Sequence, residues 1–295
     1  MLSFSGDGSK LLYTATLTRG NIAVADFDPE TLNLTSSPEP LIQGNRRMRQ
    51  VDISSDGQRL VYRSGGARQD LFVSDIDGTD EQQITDDDAK DWDPEWSPDG
   101  SRITYYSDRS GTYEVWTIDP DGTGPMQLTD LPEVNPLAPI WSPDGLRIMF
   151  SARTHPVHII DASLRFDEQI WDELPRVNPQ RDDLGFIATD WRDQSPPIVG
   201  KYEELRVYDP DTREFTVISE EDAVDAGWMA DGRRILFRVP GRHGFFVADV
   251  RNPGGDPLHI DVAANELVLS PDNRRVYLVR EVSDSDVWML ELGDQ

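Results

Sequence analysis

A seven-bladed, all-β propeller of four-stranded antiparallel blades follows from three features of this sequence. The first is a recurring phrase. Ser5-Gly6-Asp7-Gly8, Ser54-Ser55-Asp56-Gly57, Ser97-Pro98-Asp99-Gly100 and Ser142-Pro143-Asp144-Gly145 are near copies, with weaker copies at Met229-Ala230-Asp231-Gly232 and Ser270-Pro271-Asp272-Asn273. Their aspartates stand 49, 43, 45, 87 and 41 residues apart, and 87 is two repeats with one worn copy between them. A fixed period of this length marks a repeat architecture. The second feature is an acid at the end of the third strand of each unit: Asp26, Asp75, Asp119, Asp161, Asp209, Asp249 and Glu291. It recurs at the same period and marks the unit in which the first phrase is lost. The third is the content of one period: four short β-rich runs separated by turn formers, which is one propeller blade.

The stretch Asp93 to Thr129 is the clearest unit. Pro94-Glu95-Trp96-Ser97 is a short strand. Pro98-Asp99-Gly100 is a tight turn, with proline presetting φ, aspartate bonding the backbone ahead and glycine accepting positive φ. Arg102 to Ser107 and Tyr113 to Ile118 are β-branched and aromatic runs that read as the second and third strands. Asp108-Arg109-Ser110-Gly111 is the loop between them, and Asp119-Pro120-Asp121-Gly122 is the next turn. Met126-Gln127-Leu128-Thr129 is a short fourth strand. The worn fifth unit places strands near Gly185–Trp191, Pro197–Lys201, Glu204–Tyr208 and Phe215–Ile218.

The expected blades are 1–44, 45–89, 90–133, 134–180, 181–221, 222–262 and 263–295, together one domain. A lone sheet cannot bury both faces, whereas stacked neighbours can. The chain starts in the first strand of blade one (Leu2–Ser5) and ends after the third strand of blade seven (Val287–Leu292). The last blade is therefore expected to lack its outer strand, an exposed edge that proteins usually avoid. The expectation is a segment of a longer protein.

Composition narrows the function classes. The 295 residues carry a formal net charge of −27, with 28 basic and 55 acidic side chains. Nucleic acids and anionic lipid surfaces both require a positive face, so neither is an expected partner. There is no apolar run of 18 residues, hence no expected membrane span, and Met1 leads into a strand rather than a signal peptide. Zero cysteines exclude disulfides, thiolate chemistry and cysteine zinc sites. A monomer is expected. The acid excess fits either a soluble acidic surface or a salty environment.

The phrase from Asp93 to Ile103, with Ser107-Asp108-Arg109-Ser110-Gly111, Trp116-Thr117-Ile118-Asp119, Asp121-Gly122 and Leu128-Thr129-Asp130, resembles the WD40-like PD40 repeat of the TolB family. The match is specific in blades two to four and weakest in blade five. The resemblance implies a non-catalytic sensor or scaffold module of a larger bacterial protein. Its loop-bearing channel face would bind a protein or peptide segment, in a periplasmic or other extracytoplasmic setting. Such propellers also occur as gates of prolyl-oligopeptidase-like serine peptidases and as metal-dependent oligogalacturonate lyases. No G-x-S-x-G elbow, phosphate loop or kinase catalytic loop occurs here, so no catalytic residue is assigned.

Candidate residues cluster in the loops ahead of the first strands and between the second and third strands, which should share one face. Arg46, Arg47 and Arg49 form the densest positive cluster and suit a carboxylate or phosphate; the plainer reading is pairing with acidic neighbours. Trp92 is a candidate protein-contact residue, or else inter-blade packing. Arg242 and His243 stand in the equivalent loop of blade six. Asp86, Asp87, Asp88, Asp91 and Asp93 offer oxygen ligands of the kind Ca²⁺ takes, without EF-hand spacing; the alternative is a solvated acidic loop. Asp75-Ile76-Asp77-Gly78 and Asp119-Pro120-Asp121-Gly122 carry the same ambiguity, with a repeated turn as the plainer reading. No other cofactor is expected. His155 and His158 are the one close histidine pair, with His243 and His259 in blade six, and all four read as surface residues unless a lyase metal gathers them. Trp96, Trp116, Trp141, Trp228 and Trp288 read as core.

Overall fold

The computed structural model describes residues 2–4, 10–44, 46–66, 68–131, 134–152, 157–165, 172–173, 187–191, 198–201, 204–209, 212 and 214–291. The regular elements among these residues are all β-strands, and no helix is long and apolar enough to cross a membrane. Twenty strands form five four-stranded antiparallel sheets, each a meander of consecutive strands.

The first sheet is Arg47–Ile53, Arg59–Gly65, Leu71–Asp75 and Gln82–Gln83. The second is Asp91–Trp96, Ile103–Ser107, Glu114–Ile118 and Met126–Gln127. The third is Pro136–Trp141, Arg147–Ala152, His158–Asp161 and Asp172–Glu173. The fourth, in the stretch where the repeat phrase is lost, is Ile187–Asp190, Ile198–Lys201, Glu204–Asp209 and Glu214–Ser219. The fifth is Val224–Trp228, Arg234–Arg238, Phe245–Asp249 and Leu258–Ile260.

Burial explains the strand sequences. Ile103–Ser107 is buried at every position and Leu71–Ser74 likewise, because both faces of a blade are covered by its neighbours. Such strands are rich in β-branched and aromatic residues and show no inside–outside alternation. The outer pair Gln82–Gln83 is exposed and polar. Six apolar clusters among the described residues are each shared by adjacent sheets and together close a ring. In one, Val61, Leu71, Val73 and Ile84 of the first sheet meet Trp96, Ile103, Tyr105 and Ile118 of the second. Each such large side chain contributes about 1.5–3 kcal/mol by leaving water. From the first sheet to the fifth, each first strand touches the first strand of the next sheet, and Glu266–Leu269 touches Arg47–Ile53, which puts these strands at the axis.

The protein is therefore an all-β propeller, but the seven-blade expectation needs correction. Lys10–Asp28 and Arg275–Glu291 each run as one strand through a stretch where the sequence suggested two strands and a loop. They pair with each other from Lys10↔Glu291 to Asp26↔Arg275. With Leu2–Phe4, Asn33–Leu34, Glu39–Ile42 and Glu266–Leu269 they make one composite sheet, so the expected first and last blades are merged. The expected missing outer strand is corrected with it: Arg275–Glu291 lies between Glu266–Leu269 and Lys10–Asp28 and has no open edge there. The physical reason lies at Gly20. It is not among the positive-φ glycines. A Cβ there would stand 2.5 Å from the Met48 backbone nitrogen and 2.6 Å from its oxygen. Glycine serves close packing of the composite sheet on the first sheet, and the Gly20 N–H donates to the Arg46 carbonyl at 3.2 Å. The stretch from Glu281 to Asp286 contains neither glycine nor proline to force a turn.

Candidate functional site

The repeated Ser-x-Asp-Gly phrase builds one mouth of the ring. Ser54, Ser97, Ser142 and Ser270 each donate their hydroxyl to the aspartate two residues on, at 2.5–2.7 Å. Each hydroxyl oxygen also accepts the N–H of the arginine five residues on, Arg59, Arg102, Arg147 or Arg275. Gly57, Gly100, Gly145 and Gly232 close the turns at φ of 59–69°, and Asn273 does so at 58°. In the fifth sheet Met229 replaces the serine, and Asp231 accepts the Arg234 N–H instead. The serine hydroxyl chiefly holds the turn carboxylates Asp56 and Asp144 below the usual range, and the Ser101 N–H followed by the Ser97 hydroxyl does so for Asp99.

These turns surround a funnel-shaped cavity of about 1500 Å³. Its wall carries Trp96, Trp141, Trp191 and Trp228 together with Asp52, Glu95 and Asp209. The carboxylates couple neighbouring blades. Asp52 accepts the Trp96 backbone N–H at 2.9 Å, and Glu95 accepts that of Trp141 at 3.1 Å. Asp190 accepts that of Trp228 at 2.7 Å. The Arg147 guanidinium lies 5.2 Å from the centre of the Trp191 ring.

Deeper along the axis, the innermost strands carry β-bulges, and Gln50, Asp93, Ala138 and Asp225 take left-handed φ of 46–54°. Bulges re-aim side chains, and here they gather polar groups at the axis. Asp93 is pushed up to about 7, chiefly by burial, against the nearby Arg63 charge and with Asp225 adding to the rise. Glu266 is also pushed up to about 7 by burial; the Gln50 N–H donates to it and Asp225 and Asp93 repel it. The Gln50 side-chain oxygen accepts from Arg63 and from the Asp93 N–H, and Arg63 stacks 4.4 Å from the Trp92 ring centre.

The TolB beta propeller domain family matches residues 2–180, well over half of the chain. The chain belongs to the TolB β-propeller family. Among curated relatives, the uncharacterized peptidase YuxL of Bacillus subtilis is 25% identical over 49% of this chain, and dipeptidyl-peptidase 5 of Porphyromonas endodontalis is 28% identical over 52%. The match spans about a fifth of each relative, 21% of its length. The solved structure of a TolB from Agrobacterium tumefaciens superimposes with a TM-score of 0.67 at 15% identity, over 90% of this chain and 99% of that one. A chain of the nidogen/laminin complex does so with 0.61 at 12% identity, over 89% of this chain and 98% of that one.

In this TolB-type propeller the residues singled out from sequence lie mostly away from the funnel. Arg46 donates to Glu81 and stacks 4.2 Å from the Phe72 ring centre. Arg47 and Arg49 both donate to Glu281, Arg47 at 2.6 Å. Burial opposes the charge on Glu281, but the two arginines hold its carboxyl below the usual range. Trp92 packs on Tyr106, ring centres 5.9 Å apart. Arg242 pairs with Glu221 at 2.6 Å, and His243 lies 3.1 Å from Asp261.

The five aspartates considered for Ca²⁺ are divided by the strand that carries two of them. Asp91 is fully buried; burial raises its pKa while Arg109 binds both its oxygens at 3.0 and 3.1 Å. Asp93 is on the axis. Arg68 pairs with Asp86 at 3.0 Å and with Asp88 at 3.6 Å, and Arg109 lies 3.6 Å from Asp87. Among the described residues no three His, Asp or Glu side chains are placed to hold one metal ion. Asp77 and Asp121 each accept the N–H and hydroxyl of the threonine two residues on, Thr79 and Thr123. His155 lies outside the described residues; His158 is buried and stacks 5.2 Å from Phe150. Sequence reasoning missed the funnel, because Trp96, Trp141 and Trp228 satisfy the core pattern while also facing the cavity. The available signal was Asp52 and Glu95, acids one residue ahead of an apolar inner-strand residue at matching places in two repeats.

Proposed function

We propose that this propeller is a non-catalytic recognition module of a larger bacterial protein, and that it holds a peptide segment of a partner at its axis. The observation that carries the reading is the funnel of about 1500 Å³ with four tryptophans in its wall. Large concave sites with aromatic walls and a few fixed polar groups are where proteins take ligands. The opposite mouth supports the reading less, because Arg46, Arg47 and Arg49 already engage Glu81 and Glu281. The test is selection of a random displayed peptide library on the purified propeller, followed by calorimetry. Selected peptides should compete for one site and lose affinity on Trp191→Ala. Peptides that bind equally well to Trp191→Ala and to a second funnel variant, Val207→Arg, would move recognition elsewhere.

A second reading is favoured by the two relatives named as peptidases: the propeller as the gate of a serine peptidase. It is decided on the whole reading frame. Labelling of the full-length protein by a fluorophosphonate, lost when a G-x-S-x-G serine is replaced, would establish it. A full-length protein without such a serine would remove it.

A further inference from the structure

We infer that the funnel takes a cationic segment: a peptide that presents a lysine or arginine side chain to the tryptophan-lined wall. This rests on the recognition reading above and names the chemistry of its ligand. The first observation is charge. Among the described lining residues Asp52, Glu95, Asp144, Asp209 and Asp231 are acidic and Arg147 is basic, and Asp231 also pairs with Arg234 at 2.5 Å. The second is the aromatic wall, whose π-faces attract a cation within about 6 Å of the ring centre. The molecule already makes this contact with its own side chains. Arg147 lies 5.2 Å from the Trp191 ring centre and Arg59 lies 4.4 Å from that of Trp96. The same wall therefore suits an arginine or lysine from another chain.

A simple inorganic cation would leave the aromatic wall unused, and among the described residues no three His, Asp or Glu side chains are placed to hold one. The net charge of −27 would also speed the approach of a cationic partner.

The probes are acetyl-tetralysine amide, acetyl-tetraglutamate amide and acetyl-tetraserine amide, titrated by calorimetry with intrinsic tryptophan fluorescence as a second readout. Tetralysine should bind one-to-one, shift tryptophan emission and weaken as salt rises, while the other two should not bind. Glu95→Gln and Asp209→Asn should each weaken it roughly three- to tenfold. Glutamine retains an oxygen that can accept the Trp141 N–H, so the first variant keeps the inter-blade bond. Asp256→Asn and Asp261→Asn, charge changes on exposed loop residues outside the funnel, should leave the affinity unchanged. Equal losses from these two pairs, or binding of many tetralysines per chain, would overturn the inference as general charge attraction. A selected neutral or acidic peptide that binds in the funnel, lost on Trp191→Ala, would overturn the cationic ligand while keeping the recognition reading. Absence of any peptide site in the funnel would overturn both.

Discussion

Glu266 shows how a ring of converging strands changes one side chain. Acids on neighbouring inner strands are brought to a shared axis, where burial penalises their charge. Its pKa rises from an ordinary 4.5 to about 7, with Asp225 and Asp93 adding to the rise and the Gln50 N–H and Arg49 opposing it. The unfolded chain gives up this proton near its ordinary pKa, whereas the folded chain keeps it to about 7. Below the ordinary value both states are protonated and the group contributes nothing. As pH climbs between the two values the folded state loses stability, and the loss is complete above the folded pKa. Glu266→Gln keeps an acceptor for Gln50 and removes the titration. Its unfolding free energy should match the parent near pH 4 and exceed it by about 1–2 kcal/mol at pH 8, allowing for water in the channel. Urea melts at the two pH values measure this. A variant equally displaced at both would show that Glu266 acts by packing.

At the scale of the element, the turn that gives the chain its repeat is a hydrogen-bonded unit with one conformational demand. Gly100 stands at φ +68°, and a Cβ there would meet only the Arg59 guanidinium, at 3.6 Å. The cost of replacing it is thus backbone strain rather than collision. Gly100→Val should lower stability by about 1–3 kcal/mol, and Gly100→Asn by clearly less. Asn273 already occupies the same place in another copy of the turn, at φ 58°. Equal melting temperatures for the two variants would show that the turn can relax out of the left-handed region. These turns were legible because Ser, Asp and Gly each have a separate, local role in them. Strand identity was legible for a similar reason: runs such as Ile103–Ser107 are β-branched and aromatic where neighbours cover both faces. The long strands of the composite sheet were not. Gly20 serves close packing, and only the distant Met48 backbone reveals that use. The funnel was hidden too, since a tryptophan that is 4% or 5% exposed has the sequence signature of core whether or not a cavity lies beside it.

The whole molecule depends on joining segments from its two extremes. Lys10–Asp28 pairs along its length with Arg275–Glu291, and Ala25, Phe27 and Leu32 share a core cluster with Leu236, Phe245 and Val247 of the fifth sheet. On the other side Ile22 and Ile42 share one with Leu60, Tyr62 and Phe72 of the first sheet. The N-terminal segment, together with Tyr277 and Val279 on the first sheet and Leu267 and Leu278 on the fifth, thereby turns a row of sheets into a ring, and the funnel needs the ring because its wall draws on every sheet. A chain lacking residues 1–44 would expose the edge of Arg275–Glu291 and uncover both clusters. Unpaired strand edges template association with other chains. The truncated chain should therefore self-associate in sedimentation and lose its single cooperative unfolding transition. It should also lose the tryptophan emission shift on adding tetralysine, even where the five complete sheets persist by circular dichroism. A monomeric truncation with the parent's melting temperature would show that the sheets hold their curvature by blade-to-blade packing alone, and that the long ladder decorates the ring rather than closing it.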